Sequence, residues 1–268
     1  MDGGNLMNKG IKTDLITIEE MNQILINYRI GKKPLAKLLG WGETTLIRYL
    51  DGDVPTREYS DKLLYILNNP GYFYEILQQN QDRLTPVAFR KCNQAVKKLL
   101  LESKIRVVAQ HIINKLEGHI SMYELQIYLY YVQGFYLAFE KQPMFEDDFM
   151  INEQDLPYEA VYEEFSIRSF SIMELEKGSL SEKEMQFIED VVLALSWYGP
   201  TMLARMLHYE LVLMKLSRDW DNRRIIAKET LKEYFSGVLQ CENITSCKHI
   251  QVYIHRAYIR LQEVEWNI

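Results

Sequence analysis

Apolar positions fall three and four residues apart over most of this chain, and few stretches alternate strictly, so the predicted elements are helices. Thr17 is placed to cap the first, whose apolar face holds Ile18, Met21, Leu25 and Tyr28 and which Gly31 ends. Pro34 then sits in the first turn of the next helix, where its missing N–H costs nothing. That helix carries Leu35, Ala36, Leu38 and Leu39 and breaks at Gly40, a residue free to adopt positive φ. A further helix is predicted from near Glu43 to Asp51-Gly52, with Leu46 and Tyr49 inward and Thr44, Thr45 and Arg48 outward. Three more helices follow, over about 57–67, 72–79 and 87–102. Residues 1–16 have no clear period.

The second part of the chain opens with a helix over about 107–116, closed by Gly118. Ser121 and Glu124 form a capping box for a long helix running to about Phe139. Its apolar residues go nearly all round, which predicts a helix buried on every side. Residues 141–156 lose the helical period and are expected to form a loop or a short β-hairpin; Pro157 starts a helix ending near Phe165. A second capping box, Ser181 with Glu184, starts a helix to about Tyr198, and Pro200 initiates another to about Leu216. Helices over 227–235 and 250–263 complete a mostly α chain with no internal repeat.

The two parts differ in charge. Residues 1–104 hold 15 Lys and Arg against 12 Asp and Glu, whereas residues 105–268 hold 16 against 25. The window 140–190 is the most acidic, with 4 basic and 15 acidic residues. A mildly basic part joined to an acidic one fits a DNA reader carrying a protein-facing module, although acidity also serves solubility alone. No apolar run reaches transmembrane length: residues 191–216 are interrupted by Gly199-Pro200, Arg205, His208 and Glu210. There is no basic segment leading into an apolar core, and three cysteines make no disulfide framework, so a cytoplasmic location is expected.

Candidate chemistry centres on the helix pair around Gly40. The small Ala36, the glycine and the inward periodicity have the form of a helix-turn-helix, whose second helix enters a major groove. The candidate DNA contacts are Lys33, Lys37, Glu43, Thr44, Thr45, Arg48 and Arg57. Lys and Arg neutralise phosphates. Arg48 is suited to the O6 and N7 of guanine, and Glu43 either accepts from a cytosine amino group or favours the helix N-terminus. Trp41 reads as a packing residue. The spacing of Cys241, Cys247, His249 and His255 matches no zinc pattern. Phosphate-binding glycine loops, nucleophile elbows and His-Glu-x-x-His are missing from the sequence. The expectation is a non-enzymatic protein without cofactor or metal.

Gly40-Trp41-Gly42-Glu43-x-Thr45, followed by Arg48-Tyr49 and Gly52-x-x-Pro55, resembles the helix-turn-helix of bacterial antitoxins and phage-type repressors. Further on come Val108-Ala109-Gln110-His111-Ile112-Ile113, Ile120 to Gln126, and Leu129-Tyr130-Tyr131-Val132-Gln133-Gly134-Phe135-Tyr136. Pro143-Met144-Phe145, Val161 to Phe165, Leu180 to Glu184 and Leu231 to Phe235 continue in order. These blocks resemble the Panacea domain, a SocA-like antitoxin domain; the chain departs from that pattern at 150–157 and 206–210, and residues 236–268 lie outside it. The resemblance implies a helix-turn-helix domain over 1–104, a toxin-binding domain over 105–235 and a helical extension over 236–268. It implies an antitoxin that neutralises a toxin protein by direct binding and represses its own operon at operator DNA. The alternatives are an adaptor that delivers the toxin to a protease, and a phage-type regulator with no toxin. Glu146, Asp147, Asp148, Tyr131 and Tyr136 are the candidate toxin contacts. No membrane partner is expected, and a homo-oligomer is left open.

Overall fold

Three Ser/Thr-x-x-Glu sequences each satisfy the orphan donors of a helix N-terminus, and in the computed structural model all three are closed capping boxes: Thr17 with Glu20, Ser121 with Glu124, and Ser181 with Glu184. The structure describes residues 15–151, 158, 161–162, 165, 170–214 and 224–265. The fold is mostly α, as the periodicity predicts. The chain divides into two units, Met1–Leu100 and Leu101–Ile268.

The described part of the first unit holds α1 (Ile18–Asn27), α2 (Lys32–Leu38), α3 (Thr45–Leu50), α4 (Arg57–Asn68), α5 (Pro70–Gln79) and α6 (Pro86–Leu100), with a 3₁₀ turn at Gln81–Arg83. Helix α1 packs on α3 and α4, and α5 joins α4 to α6. The Tyr28 ring stacks on Phe73 with centroids 3.8 Å apart, and its buried hydroxyl donates to the carbonyl of Ile66 at 2.7 Å. Burial is rotated from the predicted face of α1: Ile24 is inside and Ile18 is exposed.

The second unit is built around α8 (Met122–Glu140), whose residues from Leu125 to Ala138 are all buried. Helices α7 (Lys104–Lys115), α9 (Glu182–Leu195), α10 (Pro200–Leu213) and α11 (Lys228–Cys241) pack against it, α11 most extensively. Helix α12 (Ile250–Glu265) packs on α9 and α10, so the expected extension is integral to this unit. The α8–α11 approach needs Gly134. A Cβ there would lie 2.1 Å from Cε2 of Phe235, a ring with no solvent exposure.

Of the loop or short β-hairpin expected over 141–156, the described residues show a loop over 141–148 and one strand whose partner is distant; residues 152–156 lie outside the described residues. Strand β1 (Phe149–Ile151) pairs antiparallel with β2 (Arg224–Ile226), with Phe149 opposite Ile226. A strand of three residues has no periodicity of its own, and its partner is fixed by tertiary packing rather than by a turn. The helix expected from Pro157 falls largely outside the described residues, as does most of the aperiodic N-terminal segment.

Gly134→Ala should destabilise the protein by about 1–3 kcal/mol, the usual cost of overpacking a filled core. Chemical denaturation measures this, and Phe235→Leu in the same chain should return part of the loss. Equal stability of Gly134→Ala and the parent chain would mean that α8 and α11 are less closely packed than described.

Candidate functional site

Glycine termination shapes the helix pair in the first unit. Gly40 has φ +74°, its N–H donates to the Lys37 carbonyl at 3.0 Å, and Trp41 N–H donates to the Ala36 carbonyl at 2.8 Å. Helix α3 ends the same way: Gly52 has φ +114°, with Gly52 N–H on the Tyr49 carbonyl and Asp53 N–H on that of Arg48. Both are Schellman closures, which a β-carbon at the left-handed position would strain. Leu35, Ala36, Leu38 and Leu46 are buried beneath the pair, and Trp41 packs against Tyr59 with centroids 4.3 Å apart.

Helix α3 has only six residues, shorter than predicted at its N-terminal end. Lys33, Thr44 and Arg48 are exposed and Thr45 is half-buried, so the outward set lies where the periodicity placed it. Charge pairing there is new. Lys37 Nζ lies 2.9 Å from Glu43, Arg48 Nε 2.8 Å from Asp53, and Arg57 Nε 3.0 Å from Asp61. The hydrogen bond from Lys37 holds Glu43 below the usual carboxylate range. Glu43 is therefore a partner of Lys37 in this state, and a phosphate approaching either cation displaces a carboxylate.

In the second unit two of the candidate contacts need correction. Tyr131 has no solvent exposure and Tyr136 has 5 %, so neither presents a surface to a partner. A helix wrapped on all sides turns every aromatic into core. The acidic residues are accessible to different degrees: Glu146 and Asp148 are exposed and Asp147 is half-buried. Lys228 on α11 bonds Asp148 at 2.6 Å and lies 4.0 Å from Glu146, which offsets part of the negative charge.

What Tyr131 does instead is hold a buried carboxylate. Glu210, on α10, is 1 % exposed. Its Oε2 accepts from the Tyr130 hydroxyl at 2.7 Å, and its Oε1 accepts from Tyr131 at 2.8 Å and Tyr253 at 2.6 Å. Tyr234 continues the chain with its hydroxyl 3.1 Å from that of Tyr253. Burial pushes the Glu210 carboxyl up to about 7, against the opposing pull of the tyrosine hydrogen bonds and of Arg260. A cavity of about 290 Å³ between α10, α11 and α12 has Glu210 and Tyr253 among its walls. The cluster can hold or release one proton near neutrality. In sequence its signal is a glutamate inside an apolar run, which reads there as an interruption only.

Other polar contacts order the loops. The Gln126 amide pairs with the backbone of Tyr158, donating at 3.2 Å and accepting at 2.8 Å. Gln133 pairs in the same way with Phe145 and Met144, and Asn114 with both backbone groups of Met173. Among the described residues no group of His, Cys, Asp and Glu is arranged to hold a metal ion. Cys247 Sγ bonds Asp190, and His255 Nδ1 lies 3.3 Å from the Tyr198 hydroxyl. No described helix is long and apolar enough to cross a membrane. No protein-family model, curated protein or solved structure matches the chain.

The raised carboxyl makes stability depend on pH. Between about 4.5 and 7 the folded chain retains a proton on Glu210 that the unfolded chain has lost, so stability falls as pH rises through that window and levels off above it. The expected loss is about 3 kcal/mol from this group. Denaturant titrations at several pH values measure it, and Glu210→Gln, which mimics the protonated carboxyl, should remove that part of the slope. An identical slope in Glu210→Gln would assign the pH dependence to other groups. Glu210→Leu strands the buried hydroxyls of Tyr130 and Tyr131, leaves Tyr253 with Tyr234 alone, and should be destabilised at every pH.

Proposed function

We propose that this chain is a cytoplasmic, non-enzymatic antitoxin: its first unit binds operator DNA and represses the operon, and its second unit neutralises a toxin protein by direct binding. The observation that carries the DNA half is the pair α2 and α3, closed by Gly40 and Gly52, with Thr44 exposed at the N-cap of the short second helix and Arg48 exposed on it. A short helix on a buried apolar base, with cations around it, suits insertion into a major groove. The toxin half rests on the Panacea resemblance of the blocks between Val108 and Phe235. Several residues of those blocks serve the fold in the second unit: Gln126 and Gln133 hold loops, Gly134 admits α11, and Tyr130 and Tyr131 bind Glu210. That supports reading the resemblance as one of architecture.

Gel-shift titration on the chain's own promoter tests the first half. Arg48→Ala should weaken specific binding by about 1–3 kcal/mol and relax preference at one base pair. Asp53→Asn should act in the opposite sense, because the carboxylate competes with DNA for Arg48. Unchanged binding in both variants would remove α3 from the interface. Lys33→Ala should weaken all sequences alike and flatten the salt dependence.

Growth on co-expression with the product of the neighbouring gene tests the second half. A chain of residues 101–268 should restore growth and one of residues 1–100 should not. Persistent toxicity with the longer fragment, once it is shown to be folded, would count against direct neutralisation.

A further inference from the structure

The tyrosines that the sequence offers as partner anchors are buried, yet the second unit does present aromatic surface elsewhere. Trp197 follows the C-terminus of α9 and is 78 % exposed, more than any other large apolar side chain among the described residues. Leu193, one helical turn earlier, is also exposed. Beside them lies an open groove of about 720 Å³ between the end of α9, the first turn of α10 and α12. Tyr198, Tyr258 and His255 line it as an ordered row. Tyr198 packs on Tyr258 with centroids 5.4 Å apart, its hydroxyl meets His255, and the His255 and Tyr258 rings lie within 20° of parallel. Side chains already fixed by each other lose little freedom when a partner arrives.

The charge of the groove runs against that of its unit. No carboxylate lines it among the described residues, whereas Arg256 does. Arg256 shares Glu242 with Arg260, which is 2.8 Å from the same carboxylate, so two cations face one anion. An aromatic groove whose one Lys, Arg, Asp or Glu lining side chain among the described residues is Arg256, on a unit with 25 acidic against 16 basic residues beyond position 104, is complementary to a carboxylate-bearing apolar segment. Trp, Tyr and Arg are also the residue types that concentrate binding energy at protein interfaces. Nucleic acid would use the same aromatics but needs several cations along its phosphates, and Arg256 is the one Lys or Arg lining the groove among the described residues.

We propose that this groove is the docking site for the protein partner of the second unit, and that it takes a partner segment with a large apolar side chain flanked by Asp or Glu. The proposal rests on the reading of the second unit as protein-binding. It places the principal contact on α9, α10 and α12 rather than on the acidic loop around Glu146.

Random dodecapeptides displayed on phage test it without knowledge of the toxin. They are selected on the full chain, and the enriched peptides are synthesised and titrated against variants. The expected peptides carry an apolar anchor next to carboxylates and bind Trp197→Ala at least about ten-fold more weakly. Arg256→Glu should weaken them too and should accept the same peptides with lysine in place of the acids. Trp197 is exposed, and Arg256→Gln, which sets no second carboxylate against Glu242, accompanies Arg256→Glu; unchanged denaturation midpoints then separate lost binding from lost folding. Failure to enrich any peptide, or peptides that bind parent and variants equally, would overturn the proposal. So would competition by a thymidine dodecamer, or a dimer in light scattering that Trp197→Ala dissolves; these give the groove to nucleic acid or to a second copy. Growth rescue is scored separately. Rescue intact in Trp197→Ala overturns the groove as the partner site, whereas no rescue even by the parent chain overturns the antitoxin reading and leaves the peptide result to decide the groove.

Discussion

A helix surrounded on all sides has no water in which to leave a polar side chain, and α8 is such a helix from Leu125 to Ala138. Each polar group on it has to find a partner inside the protein, because an unsatisfied buried donor or acceptor costs about 1–3 kcal/mol. The second unit is arranged around that requirement. Gln126 and Gln133 turn their amides to the backbones of Tyr158 and of Met144 and Phe145, pairing much as a neighbouring strand would. Tyr130 and Tyr131 turn theirs to Glu210, which ties α8 to α10, and Tyr253 brings in α12. The polar residues of the central helix thus specify which loops and helices lie where, while its apolar residues supply the driving force.

The same logic explains why several residues of the sequence blocks between Val108 and Phe235 say little about function. Gln126, Gln133, Gly134 and Phe235 are committed to internal contacts. A scaffold held this way can keep its interior and vary its surface, and binding specificity is free to reside in exposed features such as the row beside Trp197 or the loop at Glu146. Glu210 is the exception among the internal groups. Its raised carboxyl gives the scaffold a proton that is loosely held near neutral pH, so the central packing and the charge inside it are linked.

In the first unit the balance is different. Helices α2 and α3 have seven and six residues, and the pair combines local backbone geometry at Gly40 and Gly52 with the buried Leu35, Ala36, Leu38 and Leu46. The surface around it is electrically muted, since Lys37, Arg48 and Arg57 each have an acidic neighbour. Exposed pairs of this kind contribute little to stability, about 0–1 kcal/mol. Any anion that approached these cations would compete with a carboxylate for each of them.

The amino-acid sequence by itself determined the helical class, the Thr17 cap and the capping boxes at Ser121 and Ser181, the glycine-closed helix pair and the wrapped character of α8, because each is a property of residues within one or two turns of one another. Contacts between distant segments were decided only by the tertiary structure. Phe149 pairs with Ile226 far along the chain, the burial of Tyr131 and Tyr136 removes them from the surface, and the meeting of Glu210 with three tyrosines spans 80 positions at its widest. Trp197 is equally silent in sequence, since an aromatic at a helix end reads as core until the packing leaves it exposed. The physical reason is common to all of these. Periodicity reports which face of an element is apolar, but which neighbour covers that face, and whether any does, depends on how all the elements fill space together.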